Sequence, residues 1–307
     1  MGGITNALRL SAACSFGMQP VNLLLSLHGI DNFTGLVEFL PAALVNLWRL
    51  PHHGDARQRL VTAGLALWST RLGAFLLRRM VARSASDARL DELRRRGPLA
   101  LAGFWLVHGT WGLVVSLPCT LGRASAPGPA RARDVAGFGL WVAGFALESA
   151  GDARKARYRE RRGADRYFDV GGDPLWTWSR YPHLAGEAFC WLGLAVVAGG
   201  WAFLSPAMTL LLMVGEAAHL AEVKNDARYA DSAEFRRYRA TTSLLWPVPR
   251  GVYASIPAPL RRALFFDYYE ARAPRTATAT SELIGSRAHG APSPGRATSK
   301  ASAPDAS

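Results

Sequence analysis

Three stretches of this sequence, residues 10–30, 99–122 and 188–215, contain no Asp, Glu, Lys or Arg. At ~1.5 Å of helical rise per residue, about 20 residues cross the hydrocarbon core of a bilayer. A buried helix of a water-soluble domain rarely stays uncharged for so long. The third stretch is long enough for two short or tilted spans, with Gly199, Gly200, Ser205 and Pro206 marking a break. Residues 33–48, 60–77 and 135–150 are also span-like, although they carry Glu38, Arg71 and Glu148 respectively. The expected fold is therefore all-α: a polytopic membrane bundle of about seven transmembrane helices.

Charge placement orients that bundle. The chain is half hydrophobic yet carries a net charge of +13, which fits either a nucleic-acid binder or a membrane protein with Arg at its surface. The Arg residues collect at 78–97, 151–182 and beyond Lys224, with fewer in the intervening loops. By the positive-inside rule these segments and the C-terminus are cytosolic, and the N-terminus is outside or lumenal. The first span lacks a small-residue cleavage site and reads as a retained helix. No RNP, finger or basic-helix pattern accompanies the Arg clusters, so nucleic acid is not an expected partner. Anionic lipid headgroups are. The expected location is an integral, multi-pass protein of the endoplasmic reticulum or a bacterial inner membrane.

Residues 271–307 are Ala, Ser, Thr, Pro, Gly and Arg with almost no large apolar side chain. Such a segment cannot offset its ordering entropy by burial. The expected organisation is a helical domain over 1–270 and a disordered cytosolic tail over 271–307. Cys14, Cys119 and Cys190 lie in apolar runs, as small buried hydrophobes do.

Charges within spans cost about 2.5–3.5 kcal/mol each on insertion scales, so they face a partner or a polar cavity. Glu38, Arg71, Glu148, Asp152, Glu187 and Glu216 all lie in spans or within a turn of their ends. Together they point to helices converging on a polar interior. Glu148, Asp152, Lys155 and Arg159 recur at i, i+4, i+7, i+11 and share one helical face. They pair along a solvated helix, or the carboxylates receive hydroxyls or an amide while the cations receive phosphates. The surplus of Arg over 154–162 favours an anionic ligand. No Gly-rich dinucleotide loop, nucleophile triad or zinc spacing is present, and no metal site is expected. Trp68, Arg71, Phe75 and Arg79 form either an interfacial belt or a wall of the same cavity.

The order of motifs then resembles a family. Leu67-Trp68 and Arg71 are followed by Arg78-Arg79, then by Gly139, Trp141, Glu148 and Asp152. After them come Trp176, Ser179-Arg180-Tyr181-Pro182, Gly186-Glu187, and a closing run from Ala221-Glu222 to Trp246-Pro247. This is similar to the DUF1295 membrane proteins, related to 3-oxo-5α-steroid 4-dehydrogenases (steroid 5α-reductases), over about residues 30–250. The resemblance implies a seven-helix, NADPH-dependent reductase of a C=C bond conjugated to a ketone, acting on a steroid or other lipid. It implies cofactor contacts at Arg71, Arg79, Glu148, Asp152, Arg159, Arg180, His183 and Glu187. Glu38 matches the acid that holds the substrate ketone, and Trp68 stands where relatives carry a donor Tyr. Relatives usually read Arg-His-Pro-Asn-Tyr-Phe-Gly-Glu where this chain has Arg180-Tyr181-Pro182-His183-Leu184-Ala185-Gly186-Glu187. Two alternatives stand beside it. One is an S-adenosylmethionine-dependent methyltransferase of the isoprenylcysteine carboxyl type, with a related Arg-x-Pro…Gly-Glu neighbourhood. The other is a non-catalytic membrane protein that keeps the fold, to which Leu184 and Ala185 speak.

Overall fold

In the computed structural model, the described residues are 2–29, 44, 56–83, 88–121, 131–162, 169–170 and 172–269, and of 2–5, 7, 79–83, 88–89 and 162 only the backbone. They are helical throughout, with no strand among them. The expected second span, with Glu38, and the 271–307 tail lie outside the described residues.

Four helical stretches are long and apolar enough to cross a membrane: Leu8–Leu27, Ala56–Arg78, Pro98–Leu121 and Gly200–Tyr229. A shorter apolar helix covers Pro182–Ala198. The first stretch comprises α1 (Gly2–Gly17) and α2 (Gln19–Leu27), with Pro20 in the opening turn of α2. Its burial pattern is that of a helix in lipid. Ser11, Ser15, Gln19, Asn22 and Ser26 recur every three or four residues and are all buried, whereas Leu24 is 60% and Leu27 45% exposed. Polar groups thus turn toward the protein and apolar ones away from it, as expected of an integral membrane protein. Ser11 meets Thr120 at 2.9 Å, and Gln19 donates to the Ser15 carbonyl.

Helix α3 (Ala56–Arg83) leads to the short, charged α4 (Ala88–Arg96). Arg94 of α4 donates to the Ser26 carbonyl at 2.7 Å, tying α4 to the end of α2. Pro98 then opens α5 (Pro98–Val115), followed by α6 (Leu117–Leu121). Helix α7 (Ala132–Arg162) has 31 residues. At ~1.5 Å per residue it is about 46 Å long, and its C-terminal third is basic. Asp173 caps α8 (Pro174–Trp178) by accepting from the Leu175 N–H, and Pro182 opens α9 (Pro182–Ala198).

Gly199, at φ +76°, ends α9, as the expected break requires. A 3₁₀ turn (Gly200–Phe203), α10 (Leu204–Leu212), a π segment (Met213–Ala218) and α11 (His219–Tyr229) follow without interruption. Three short helices close the chain: α12 (Ala233–Thr241), α13 (Arg250–Ser255) and α14 (Ala258–Phe265). They are pinned back by a parallel bridge at Ser179 and Ser243. There the Arg180 N–H donates to the Ser243 carbonyl at 2.8 Å and the Tyr181 N–H to that of Leu244 at 3.2 Å.

The closest helix pair is α7 with α9, and a glycine seam explains it. A Cβ on Gly137 would lie 2.7 Å from the Gly193 carbonyl oxygen, and one on Gly144 2.5 Å from that of Gly186. A Cβ on Gly193 would lie 2.5 Å from the Gly137 carbonyl oxygen, and one on Gly186 would strike the Glu148 backbone nitrogen. Gly137, Gly144 and Gly151 fall seven residues apart, as do Gly186 and Gly193. Small residues repeated on one face let two backbones touch without a hydrophobic driving force between them. Beside the seam, Trp68, Trp141 and Trp191 pack with Leu65, Leu194 and Val197 into the main core, with the Trp68 and Trp191 rings edge-on at 4.7 Å.

Candidate functional site

The seam fixes where the charged groups of α7 and α9 fall. Gly186 lies against the Glu148 backbone and Gly151 against His183, with a virtual Cβ 3.1 Å from the His183 Cβ. Glu148 and Asp152 on α7 are therefore held opposite His183 and Glu187 on α9. From the other side, α3 contributes Trp68 and Arg71.

Arg71 bridges the two α7 carboxylates. One guanidinium nitrogen donates to Asp152 at 2.7 Å and the other to Glu148. The Trp68 indole N–H donates to the second Glu148 oxygen at 2.8 Å. The Arg71 guanidinium carbon also lies 5.9 Å from the centre of the Phe145 ring, within cation–π range. Glu187 is close enough to interact electrostatically with Glu148, Asp152 and Arg71. It accepts a hydrogen bond from the Trp191 indole N–H at 3.4 Å. The cluster thus sets three carboxylates against one bridging guanidinium. The Nδ1 of His183 is buried without a hydrogen-bond partner among the described residues. The charges of Lys155 and Arg159 reach His183 as well, so the face shared by 148, 152, 155 and 159 does look toward α9.

Several sequence-assigned residues come together here: Trp68, Arg71, Glu148, Asp152, Arg159, His183 and Glu187. Others do not. Glu38 lies outside the described residues, and so does the Arg79 side chain. Arg180 is turned away into a separate buried network at the foot of α9. There it pairs with Glu222 at 3.2 Å and Asp267 at 2.7 Å. Arg239 joins the network, reaching Glu222 at 3.3 Å and pairing with Asp226. The Tyr181 hydroxyl donates to Glu222 at 2.8 Å, and the Tyr253 hydroxyl donates to Asp267. Burial, and then the neighbouring carboxylate, hold the pKa of both tyrosines above the ordinary phenol value, so both hydroxyls stay donors.

The sequence reading missed this network and the glycine seam. The seven-residue glycine repeat was the available signal for the seam. For the network there was little, because no helical periodicity links Glu222, Asp226 and Asp267 to Arg180. Among the described residues no group of His, Cys, Asp and Glu is arranged to hold a metal ion.

Comparison with known proteins bears on the family. The model of a family described as "Protein of unknown function (DUF1295)" matches residues 21–242, well over half of the chain. The chain belongs to the DUF1295 family. No curated protein and no solved structure matches it. The matched region contains α3, α7 and α9 and hence every described residue of the polar cluster.

Proposed function

We propose that this DUF1295 protein is a membrane-embedded, NADPH-dependent reductase of a C=C bond conjugated to a ketone in a steroid or other lipid. In this reading the chain spans the membrane about seven times, with its N-terminus outside and its C-terminus in the cytosol. The observation that carries the reading is the three-helix cluster between α3, α7 and α9. Its carboxylates outnumber its guanidinium, a buried imidazole nitrogen lacks a partner, and cations continue along the same helical face.

That donor and acceptor set fits a dinucleotide. Glu187 and the His183 ring can take the carboxamide of a nicotinamide, and Asp152 can take ribose hydroxyls. Lys155 and Arg159, one and two turns further into water, can take phosphates. NADPH, when bound, supplies a hydride. Arg71 orients Glu148 and Asp152 as acceptors, and Trp68 fixes the second Glu148 oxygen. Since the Trp68 N–H is committed to Glu148, Glu38 is the acid that polarises the substrate carbonyl in this reading. An acid aimed at that oxygen stabilises the negative charge that develops there. The aromatic floor of Trp68, Trp191 and Phe145 suits a flat, apolar substrate entering from the lipid.

Thermal unfolding of the detergent-solubilised full chain tests the proposal, with NADPH, NADH or S-adenosylmethionine added. NADPH at about 100 times its Kd is expected to stabilise the fold by about 2.7 kcal/mol, a rise of roughly 5 °C or more. Asp152→Ala and Glu187→Gln are expected to abolish the rise. Stabilisation by S-adenosylmethionine alone would replace the reductase with a methyltransferase, and no response to any of the three would favour a non-catalytic protein.

A further inference from the structure

Helix α7 has a second charged face. Arg154, Arg157 and Arg161 recur at i, i+3, i+7. At 100° per residue they lie about half a turn from Asp152, Lys155 and Arg159. They do not look toward α9. They line a groove of about 1210 Å³ between the C-terminal end of α7, the residues Asp169, Val170, Gly172 and Asp173, α12 and α13. Arg237 of α12 and Arg250 of α13 enter the same groove. Five arginines from three separate helices therefore converge on one concave surface.

Their partners leave much of this charge unanswered. Three carboxylates also line the groove: Asp169, Asp173 and Glu234. Asp173 is already engaged, since it caps α8 and pairs with Arg154 at 3.0 Å. Arg157 donates to the carbonyl of Ala153 in its own helix at 3.3 Å, and Arg250 lies over the Tyr238 ring at 5.6 Å. Neither contact neutralises a guanidinium. The Arg161 and Arg237 side chains have no ion pair or hydrogen bond among the described residues. The favourable field at a helix C-terminus explains basic residues at the end of α7. It does not explain Arg237, in the middle of α12, or Arg250, the first residue of α13, where the helix field disfavours a cation.

We propose that this groove is an anion site for a phosphate-bearing ligand, distinct from the carboxylate cluster on the opposite face of α7. Guanidinium groups bind phosphate through a planar fork with two parallel hydrogen bonds. A groove of this size admits a diphosphate or a phosphomonoester together with part of the group that carries it. The ligand chemistry is the same whether the phosphate belongs to a soluble molecule or to a lipid headgroup. Both sources are within reach, because Arg157 and Arg161 are exposed to solvent while Val252, Leu260 and Leu264 of α13 and α14 are exposed apolar residues. The inference does not rest on the reductase reading, since it uses none of that site's residues.

Binding of inorganic pyrophosphate to the full chain tests it, measured by calorimetry in nanodiscs of phosphatidylcholine alone and in nanodiscs containing phosphatidylglycerol. In the neutral discs, wild-type chain is expected to bind pyrophosphate. The double variant Arg161→Gln/Arg237→Gln is expected to bind about tenfold more weakly or worse, and Asp152→Ala to bind as wild type does. Weaker pyrophosphate binding in anionic discs, with the difference lost in the double variant, assigns the site to lipid headgroups. Equal binding in both discs assigns it to a soluble phosphate. The proposal is overturned if pyrophosphate does not bind in neutral discs, if the double variant binds it unchanged, or if Asp152→Ala removes the binding. Thermal unfolding of the double variant without ligand is expected to match wild type, because neither side chain holds another residue in place.

Discussion

The two buried ionic clusters of this protein are built from the same residue types and reach opposite outcomes. At the foot of α9, Arg180 and Arg239 are each held by two acids: Arg180 by Glu222 and Asp267, Arg239 by Glu222 and Asp226. Two tyrosine hydroxyls supply further donors to Glu222 and Asp267. In the cluster between α3, α7 and α9, Arg71 serves Glu148 and Asp152, while Glu187 receives an indole N–H at 3.4 Å. In the first cluster every carboxylate has a guanidinium partner, whereas in the second Glu187 has no direct ion pair among the described residues and an imidazole nitrogen is left over. Pairing of every acid is what a fastener needs, because each unmet buried charge costs folding energy. Residual capacity has a use only where something else arrives to fill it.

Breaking the fully paired cluster should have the largest effect. Glu222 is fully buried and answers Arg180, Arg239 and Tyr181 at once. Glu222→Ala takes one of two carboxylate partners from each guanidinium and the acceptor from the Tyr181 hydroxyl, and breaking a buried pair typically costs about 3–5 kcal/mol. The expected result is a loss of monodisperse protein on size exclusion, or a large fall in Tm, whatever ligand is present. A variant that stays folded with an unchanged Tm would mean that the network is decoration and that the comparison fails.

A smaller effect is expected at the seam that holds the second cluster together. Gly193→Ala puts a methyl group 2.5 Å from the Gly137 carbonyl oxygen and 2.7 Å from the Trp141 nitrogen. Both are backbone atoms, which cannot swing aside as a side chain would. Overpacking of this kind costs about 1–3 kcal/mol, and the relief available is a widening of the α7–α9 distance. Because Glu148 and Glu187 sit on those two helices, ligand binding should weaken together with Tm. Gly103→Ala is the control, since a Cβ there meets nothing within 4 Å, and it should leave both unchanged.

How much of this was legible beforehand follows from the kind of signal involved. The helices were legible because hydrocarbon demands long uncharged runs, and the breaks at Pro98, Pro182 and Gly199 follow from proline and glycine chemistry. The shared face of Glu148, Asp152, Lys155 and Arg159 was legible because helical periodicity is local. Arg71 was less so: its partners lie 77 and 81 positions away, and sequence spacing left it between an interfacial belt and a cavity wall. Arg180 shows the limit more sharply. The motif around it suggested a cofactor contact, yet its partners come from α11 and from Asp267 beyond α14, and no periodicity links those segments. The glycine seam was written in the sequence as a seven-residue repeat on each helix. It takes on meaning once the two helices are known to face one another.

The smallest expected change in stability is also the most informative one. Glu187→Gln keeps the side chain's size and leaves the Trp191 indole with an acceptor, but removes one negative charge from a cluster that already holds Glu148 and Asp152. If Glu187 were a structural partner like Glu222, its neutralisation should cost several kcal/mol, because a cation would lose its counter-charge. Arg71, however, keeps both of its direct carboxylate partners in this variant, and repulsion among the carboxylates is relieved. The ligand-free Tm should therefore stay within about 0.5 kcal/mol of wild type or rise slightly. Residues kept for binding are often residues whose loss stabilises the empty protein. An unchanged or raised Tm, together with loss of the NADPH-dependent rise, would mark Glu187 as a group held in reserve for a ligand. A Tm that falls as it does for Glu222→Ala would make the second cluster a fastener as well, and the contrast between the two would disappear.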